Sequence, residues 1–171
     1  MTDDRPWYAV YTKSRHEKML ADLLNEKHIE AYVPLRRVLR QWSDRKKLVD
    51  EPLIRSYCFV RPLPNEYYEV LNTQGAVRYI WFSGKPAPIP NKQIDILKVI
   101  TGADVDVDAI DGGLYKGAIV QVNAGPLAGL IGELISVGGK KRVLIKIDHL
   151  DQALTVSISP LLLEPYIASK L

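Results

Sequence analysis

Between Arg36 and Lys47 the chain places six cations in twelve residues, Arg36, Arg37, Arg40, Arg45, Lys46 and Lys47, offset within that span only by Asp44 and with Trp42 among them. Charges at that density neutralise phosphates, and an indole between them offers a face on which an unpaired base can stack. The same pattern also suits a solvated hairpin whose charged edges prevent further strand pairing. A smaller cluster, Lys13, Arg15 and His16, falls where a strand gives way to a helix, and the free N–H groups of a helix start favour anions.

Bond-making chemistry is poorly supplied. The three histidines, His16, His28 and His149, lack the spacing and acidic neighbours of a metal site, and there is no phosphate loop, nucleophile elbow or CxxC pair. The single Cys58 sits in an apolar run and can make neither an intramolecular disulfide nor a thiolate zinc site, in keeping with a reducing compartment. We therefore expect a binding protein rather than an enzyme, with no metal and no cofactor. No stretch reaches the roughly 18 apolar residues of a membrane span, and Met1 to Tyr8 has no signal-peptide pattern, so the expected location is the cytoplasm. A composition of 47% hydrophobic and 25% charged residues is that of a folded globular chain, and nothing in it demands more than a monomer.

The elements that must position these residues follow from periodicity. Trp7 to Thr12 is aromatic and β-branched and predicts a strand; Ser14 with Glu17 has capping-box spacing, and Met19, Leu20, Leu23 and Leu24 continue an amphipathic helix to about Ile29. Residues 31 to 42 and 46 to 51 predict two strands around a tip at Ser43, Asp44 and Arg45. Tyr57 to Arg61 predicts another, with Tyr57 and Phe59 on one side and Cys58 and Val60 on the other. Both faces of that strand are apolar and need cover, from helices or in part from a partner, and Tyr11 shares its side of the first strand with Trp7 and Ala9. Asn65 can cap a short helix to Leu71, Val77 to Phe82 returns as a strand, and Asn91 can cap a last helix carrying Ile94, Leu97 and Val99.

Charge divides the chain. Residues 1 to 62 hold 13 Lys and Arg against nine Asp and Glu, whereas 101 to 112 hold four Asp and no base. That run, Asp104, Asp106, Asp108 and Asp111 among glycines, reads as a flexible acidic linker at 102–112 between domains at 1–101 and 113–171. Beyond it only strands are predicted: Ala118 to Asn123, Ile131 to Val137, Arg142 to Ile147, Ala153 to Ile158 and a short one near Leu162, with Gly138-Gly139 as a hairpin turn. The fold class is α+β: an N-terminal α/β sandwich with an antiparallel sheet and about three helices, then a small SH3-like β-barrel.

Gly117, Gly125, Pro126, Gly129 and Gly132, set in alternating β-branched residues, resemble the KOW motif of such barrels. With Trp7-Tyr8-Ala9-Val10-Tyr11-Thr12, Val33-Pro34, Tyr57-Cys58-Phe59-Val60 and Thr73-Gln74-Gly75 ahead of it, nearly the whole chain resembles the NusG family, an NGN domain followed by KOW. The segment Arg40 to Lys47 is similar to specialised UpxY-type antiterminators of capsular polysaccharide operons, relatives in role of RfaH. The resemblance implies a factor that binds the clamp helices and opposite lobe of RNA polymerase and suppresses pausing and termination. Tyr11, Tyr57 and Phe59 match the clamp-binding positions. Lys13, His16, Thr73 and Gln74 fall where specialised members meet non-template DNA or the polymerase lobe, and nascent leader RNA is the alternative nucleic acid. Through the barrel, relatives recruit a ribosomal protein or Rho. Two departures stand out: Ile54-Arg55 precedes the Ser56-Tyr57 pair where the family commonly has Phe-Pro before a Gly/Ser/Asn-Tyr pair, and Ala118 stands where an Asp is usual. An RNA- or ribosome-binding module is the competing reading, disfavoured by the barrel's modest charge of six bases against four acids from residue 113 onward, and a general housekeeping factor is the third. Helical refolding of the barrel is disfavoured by Gly132, Gly138 and Gly139.

Overall fold

A computed structural model describes residues 3–111 and 117–167. The chain divides into two compact units, Met1–Ile94 and Asp95–Leu171. The division falls inside a helix, seven residues ahead of the boundary expected at residue 101.

The first unit is built on an antiparallel sheet. Strand β1 (Trp7–Thr12) leads through helix α1 (Glu17–Glu26) to β2 (Glu30–Tyr32), the hairpin strands β3 (Leu35–Gln41) and β4 (Lys46–Pro52), and β5 (Tyr57–Arg61). After a 3-10 turn, Pro64–Glu66, come α2 (Tyr67–Leu71), β6 (Ala76–Tyr79), the two-residue strands β7 (Trp81–Phe82), β8 (Lys85–Pro86) and β9 (Pro88–Ile89), and α3 (Asn91–Gly102). The order is β2-β5-β1-β6, with β9 pairing the start of β1. Tyr8, Val10, Cys58, Val60 and Tyr79 turn one face of this sheet onto Leu20, Ala21 and Leu24 of α1 and Val70 of α2. That packing is what the helical spacing of apolar residues required, and Leu20 and Leu24 are fully buried by it.

Several local expectations change. The strand expected at 31 to 42 is two strands, because Pro34 has no N–H for a ladder and its carbonyl instead accepts from Leu53 N–H at 2.8 Å. The Ser14 capping box does not form: α1 starts at Glu17 without a side-chain cap, and the Glu17 carboxylate accepts from the Ser56 N–H at 2.8 Å. The helix stops at Glu26 rather than Ile29, since His28 adopts a left-handed φ of 62°. Ile94 and Leu97 of α3 are buried as expected, but Val99 is exposed.

The second unit holds a six-stranded antiparallel sheet in the order β10-β14-β13-β12-β11-β15, made by β10 (Val107–Asp111), β11 (Ile119–Val122), β12 (Ile131–Val137), β13 (Lys140–Lys146), β14 (Gln152–Val156) and β15 (Leu163–Pro165). Much of the segment expected as a linker is therefore strand. Arg142 is buried on β13 and explains it: its guanidinium donates to the Asp106 carboxylate at 2.9 Å and to the Thr155 hydroxyl at 2.9 Å, so the acidic run supplies the counter-charge of a buried cation.

The motif glycines have steric reasons. A Cβ on Gly117 would stand 2.1 Å from the Leu134 carbonyl oxygen, and one on Gly132 would stand 2.4 Å from that of Leu144. Gly125 and Gly129, at φ of 85° and 89°, bracket Pro126 in the turn between β11 and β12. We expect Gly132→Ala to destabilise the second unit by about 1–3 kcal/mol or more, because backbone rather than a flexible side chain must yield. Urea unfolding followed on amide signals of β12 and β13 measures it, and Gly138→Ala at the open hairpin turn provides the comparison.

Candidate functional site

Antiparallel register sets the site's first feature. Tyr11 on the central strand β1 lies opposite Tyr57 on β5 and opposite Arg78 on β6, so three residues form one cross-strand row. The Tyr11 and Tyr57 rings meet edge to face at a centroid distance of 5.8 Å, and the Arg78 guanidinium lies 5.4 Å from the Tyr11 ring centre. Tyr11, at 36% exposure, and Arg78 reach solvent, while Tyr57 is buried behind them. Arg78 was not singled out from the sequence: nothing local marks it, and only the register places it beside Tyr11.

Phe59 requires a correction. It occupies the next row, between Ala9 and Tyr32, and has no exposed surface. A side chain at 0% exposure touches no partner in this structure; Phe59 holds the sheet face on which Tyr57 and Tyr11 stand. Alternation identified an apolar face but not which of its residues would remain wet.

Two loops come together beside α1. Lys13 N–H donates to the Gly75 carbonyl at 2.9 Å, and a Cβ on Gly75 would stand 3.0 Å from the His16 Cβ, so Lys13, His16 and exposed Gln74 share one surface. The His16 Nδ1–H donates to the Ser14 carbonyl at 2.7 Å, and Arg15 takes a left-handed φ of 61°. Thr73 departs from expectation: it is buried, its hydroxyl donating to the Glu69 carbonyl at 2.7 Å and accepting from Lys27 Nζ at 3.2 Å. It lies just past the end of α2, with its hydroxyl committed to those bonds.

The basic hairpin β3–β4 pairs over seven positions, from Leu35↔Pro52 to Gln41↔Lys46, with Trp42 N–H closing the tip on the Arg45 carbonyl at 2.7 Å. Its charge is less than the local count suggested. Arg37 lies opposite Asp50 with Nε 3.3 Å from the carboxylate, and Arg40 Nε donates to Glu51 at 2.6 Å. Both acids lie outside the stretch from Arg36 to Lys47 and are brought in by strand pairing. Arg45, Lys46 and Lys47 are exposed at the tip and make no ion pair with any described residue, and Trp42 is exposed beside them. A groove of about 750 Å³ between the hairpin and the start of α1 is lined by Arg15, Lys18, Arg40, Trp42 and Arg55, with Asp50 and Glu51 also lining it.

On the second unit an apolar groove of about 340 Å³ is lined by Ala118, Val120, Leu134, Val143 and Leu163, with Lys141 and Glu164 also lining it. Among the described residues, no cluster of His, Cys, Asp or Glu could hold a metal ion, and no helix is long and apolar enough to cross a membrane.

A family model described as "Transcription termination factor nusG" matches residues 5–98, more than half of the chain. The chain belongs to the NusG family. The NusG-family match covers β1 through most of α3, and so holds every polymerase- and nucleic-acid-site candidate above. Among solved structures, one described as "Domain interaction in Thermotoga maritima NusG" is similar over 95% of this chain and 97% of its own, at TM-score 0.59 and 18% identity, a likeness of fold. The MjSpt4:Spt5 complex in its conformation B is similar over 83% of this chain and 84% of its own at 18% identity, but its TM-score of 0.34 is too low to carry an argument. No curated protein matches the chain.

Burial, and secondarily the Glu17 carboxylate, pushes the Cys58 thiol from 9.0 up to about 12. The folded-state pKa is raised, so the stabilisation is fully present below about pH 9 and is lost as pH rises from 9 toward 12. We expect Cys58 to resist alkylation at pH 8 in the native protein and to react readily in urea, read by mass spectrometry. Phe59→Ala should cost about 3–5 kcal/mol of folding stability, whereas Tyr11→Ala should cost less than about 1.5 kcal/mol. Urea denaturation of the two variants separates the packing residue from the surface one.

Proposed function

We propose that this NusG-family chain is a transcription elongation and antitermination factor that binds RNA polymerase through its first unit. The observation that carries the reading is the Tyr57–Tyr11–Arg78 row: an aromatic ring and a guanidinium exposed side by side on a rigid sheet, within the segment the family model matches. Aromatic and arginine side chains anchored this way are the usual energetic centres of protein interfaces. Such a factor needs no catalytic group. Binding the elongating polymerase more tightly than the paused one shifts the population toward elongation by the difference in affinity.

The hairpin supports a specialised, operon-selective role, at loci such as those for polysaccharide synthesis. Arg45, Lys46, Lys47 and Trp42 at its tip, with Lys13, Arg15 and His16 near the start of α1, suit the phosphates and unstacked bases of non-template DNA or leader RNA. The 340 Å³ apolar groove is the surface of the second unit that we assign to a protein partner such as a ribosomal protein or Rho.

In a pulldown with purified core RNA polymerase, Tyr11→Ala should weaken binding roughly thirtyfold, about 2 kcal/mol, while circular dichroism stays that of wild type. Unchanged binding would move the interface off the row. The triple change Arg45→Ala, Lys46→Ala, Lys47→Ala should leave polymerase binding intact and lower the salt slope for single-stranded nucleic acid by about 2, at roughly 0.7 per phosphate contact. A general housekeeping role would show instead as equal occupancy of all transcribed genes.

A further inference from the structure

A further exposed aromatic feature of the first unit lies on β7–β8, three residues beyond Arg78 of the Tyr11 row and away from the basic hairpin in sequence. Two residue pairs make up this entire miniature sheet, Trp81↔Pro86 and Phe82↔Lys85, and the turn residues Ser83 and Gly84 both take left-handed φ, 53° and 78°. That is the backbone of a tight two-residue hairpin turn. Yet Trp81 and Phe82 are 53% and 61% exposed. Rings exposed to this extent leave much of their area open to a ligand.

The surroundings favour one kind of occupant. Adjacent strand residues point to opposite sides, so the two rings make separate faces rather than the continuous apolar patch a protein partner covers. Phe82 has Lys85 as its cross-strand neighbour, and Trp81 has the stiff ring of Pro86. No acidic residue occurs between Glu69 and Asp95, whereas Arg78, Lys85 and Lys92 do. Rings held on a preformed tip in an acid-free, basic stretch are the parts of a stacking platform for unpaired bases, with cations for the phosphates between them.

We propose that the β7–β8 tip is a second single-stranded nucleic-acid contact, in which bases stack on Trp81 and Phe82 and Lys85 meets the adjoining phosphate. It rests on the proposed function in that the chain must meet single strands, but uses none of the residues assigned there. The test is fluorescence anisotropy of the full chain at low salt with fluorescein-labelled, mixed-sequence single-stranded DNA and RNA oligonucleotides and a duplex control. Trp81→Ala with Phe82→Ala should raise the single-strand Kd about tenfold or more and leave duplex binding unchanged. The ring-keeping pair Trp81→Tyr with Phe82→Tyr should bind like wild type, which separates stacking from a folding defect; DNA and RNA arms identify the strand.

Single-strand binding that survives the double alanine change but is lost in the Arg45, Lys46, Lys47 variant would overturn the second contact and leave the hairpin reading standing. Failure of the wild type to bind any single strand would overturn both. A double alanine variant that keeps oligonucleotide binding and loses polymerase binding would overturn the proposal in favour of a protein contact.

Discussion

The pairing of β1 with β5 is the constraint on which the candidate surface depends. Tyr8↔Val60 through Tyr11↔Tyr57 sends Val10 and Cys58 into the helix-covered core and Tyr11 and Tyr57 to the other side, and a slip of one residue would exchange the two sets. Because both faces are apolar, hydrophobicity alone discriminates weakly between the registers. The end of the ladder is pinned by other means: Thr12 N–H donates to the Ser56 carbonyl at 2.9 Å, Ser56 N–H donates to the buried Glu17 carboxylate at 2.8 Å, and Ser56 itself takes a left-handed φ of 65°. The start of α1 and the start of β5 are thus fastened to one another, and the row built on β1 inherits its position from that fastening.

What was legible in the sequence was whatever depends on local repetition. Alternation marked β1, β5 and the strands of the second unit, helical spacing marked α1, and paired glycines marked the turn between β12 and β13. What was not legible depends on which residues meet across space. Asp50 and Glu51 could not be assigned to Arg37 and Arg40 until the hairpin register was known. Asp106 looked like part of a solvated linker until Arg142, 36 positions on, appeared as its partner. Phe59 and Thr73 stand at positions that match a family pattern of contacts, yet both are buried. Arg78 was overlooked for the converse reason.

The two units divide the physical work. In the first, aromatic rings and cations are exposed on paired strands, the surface to which we assign the proposed polymerase and single-strand contacts, and the one thiol is sealed in the core. In the second, glycines stand where backbones approach too closely for any side chain, and a buried arginine draws the acidic segment into the sheet as β10. Affinity in the first unit and architecture in the second come from different residue types, so substitutions can separate them.

The most direct measurement is site-specific photocrosslinking from position 11 of the full chain to core RNA polymerase, with the crosslinked polymerase peptide identified by mass spectrometry. We expect a crosslink to the clamp helices, suppressed by an excess of unlabelled wild type but not of the Tyr11→Ala variant. Efficient binding to polymerase with no crosslink from position 11, or a crosslink confined to a subunit surface away from the clamp, would contradict the assignment of the Tyr57–Tyr11–Arg78 row as the polymerase contact.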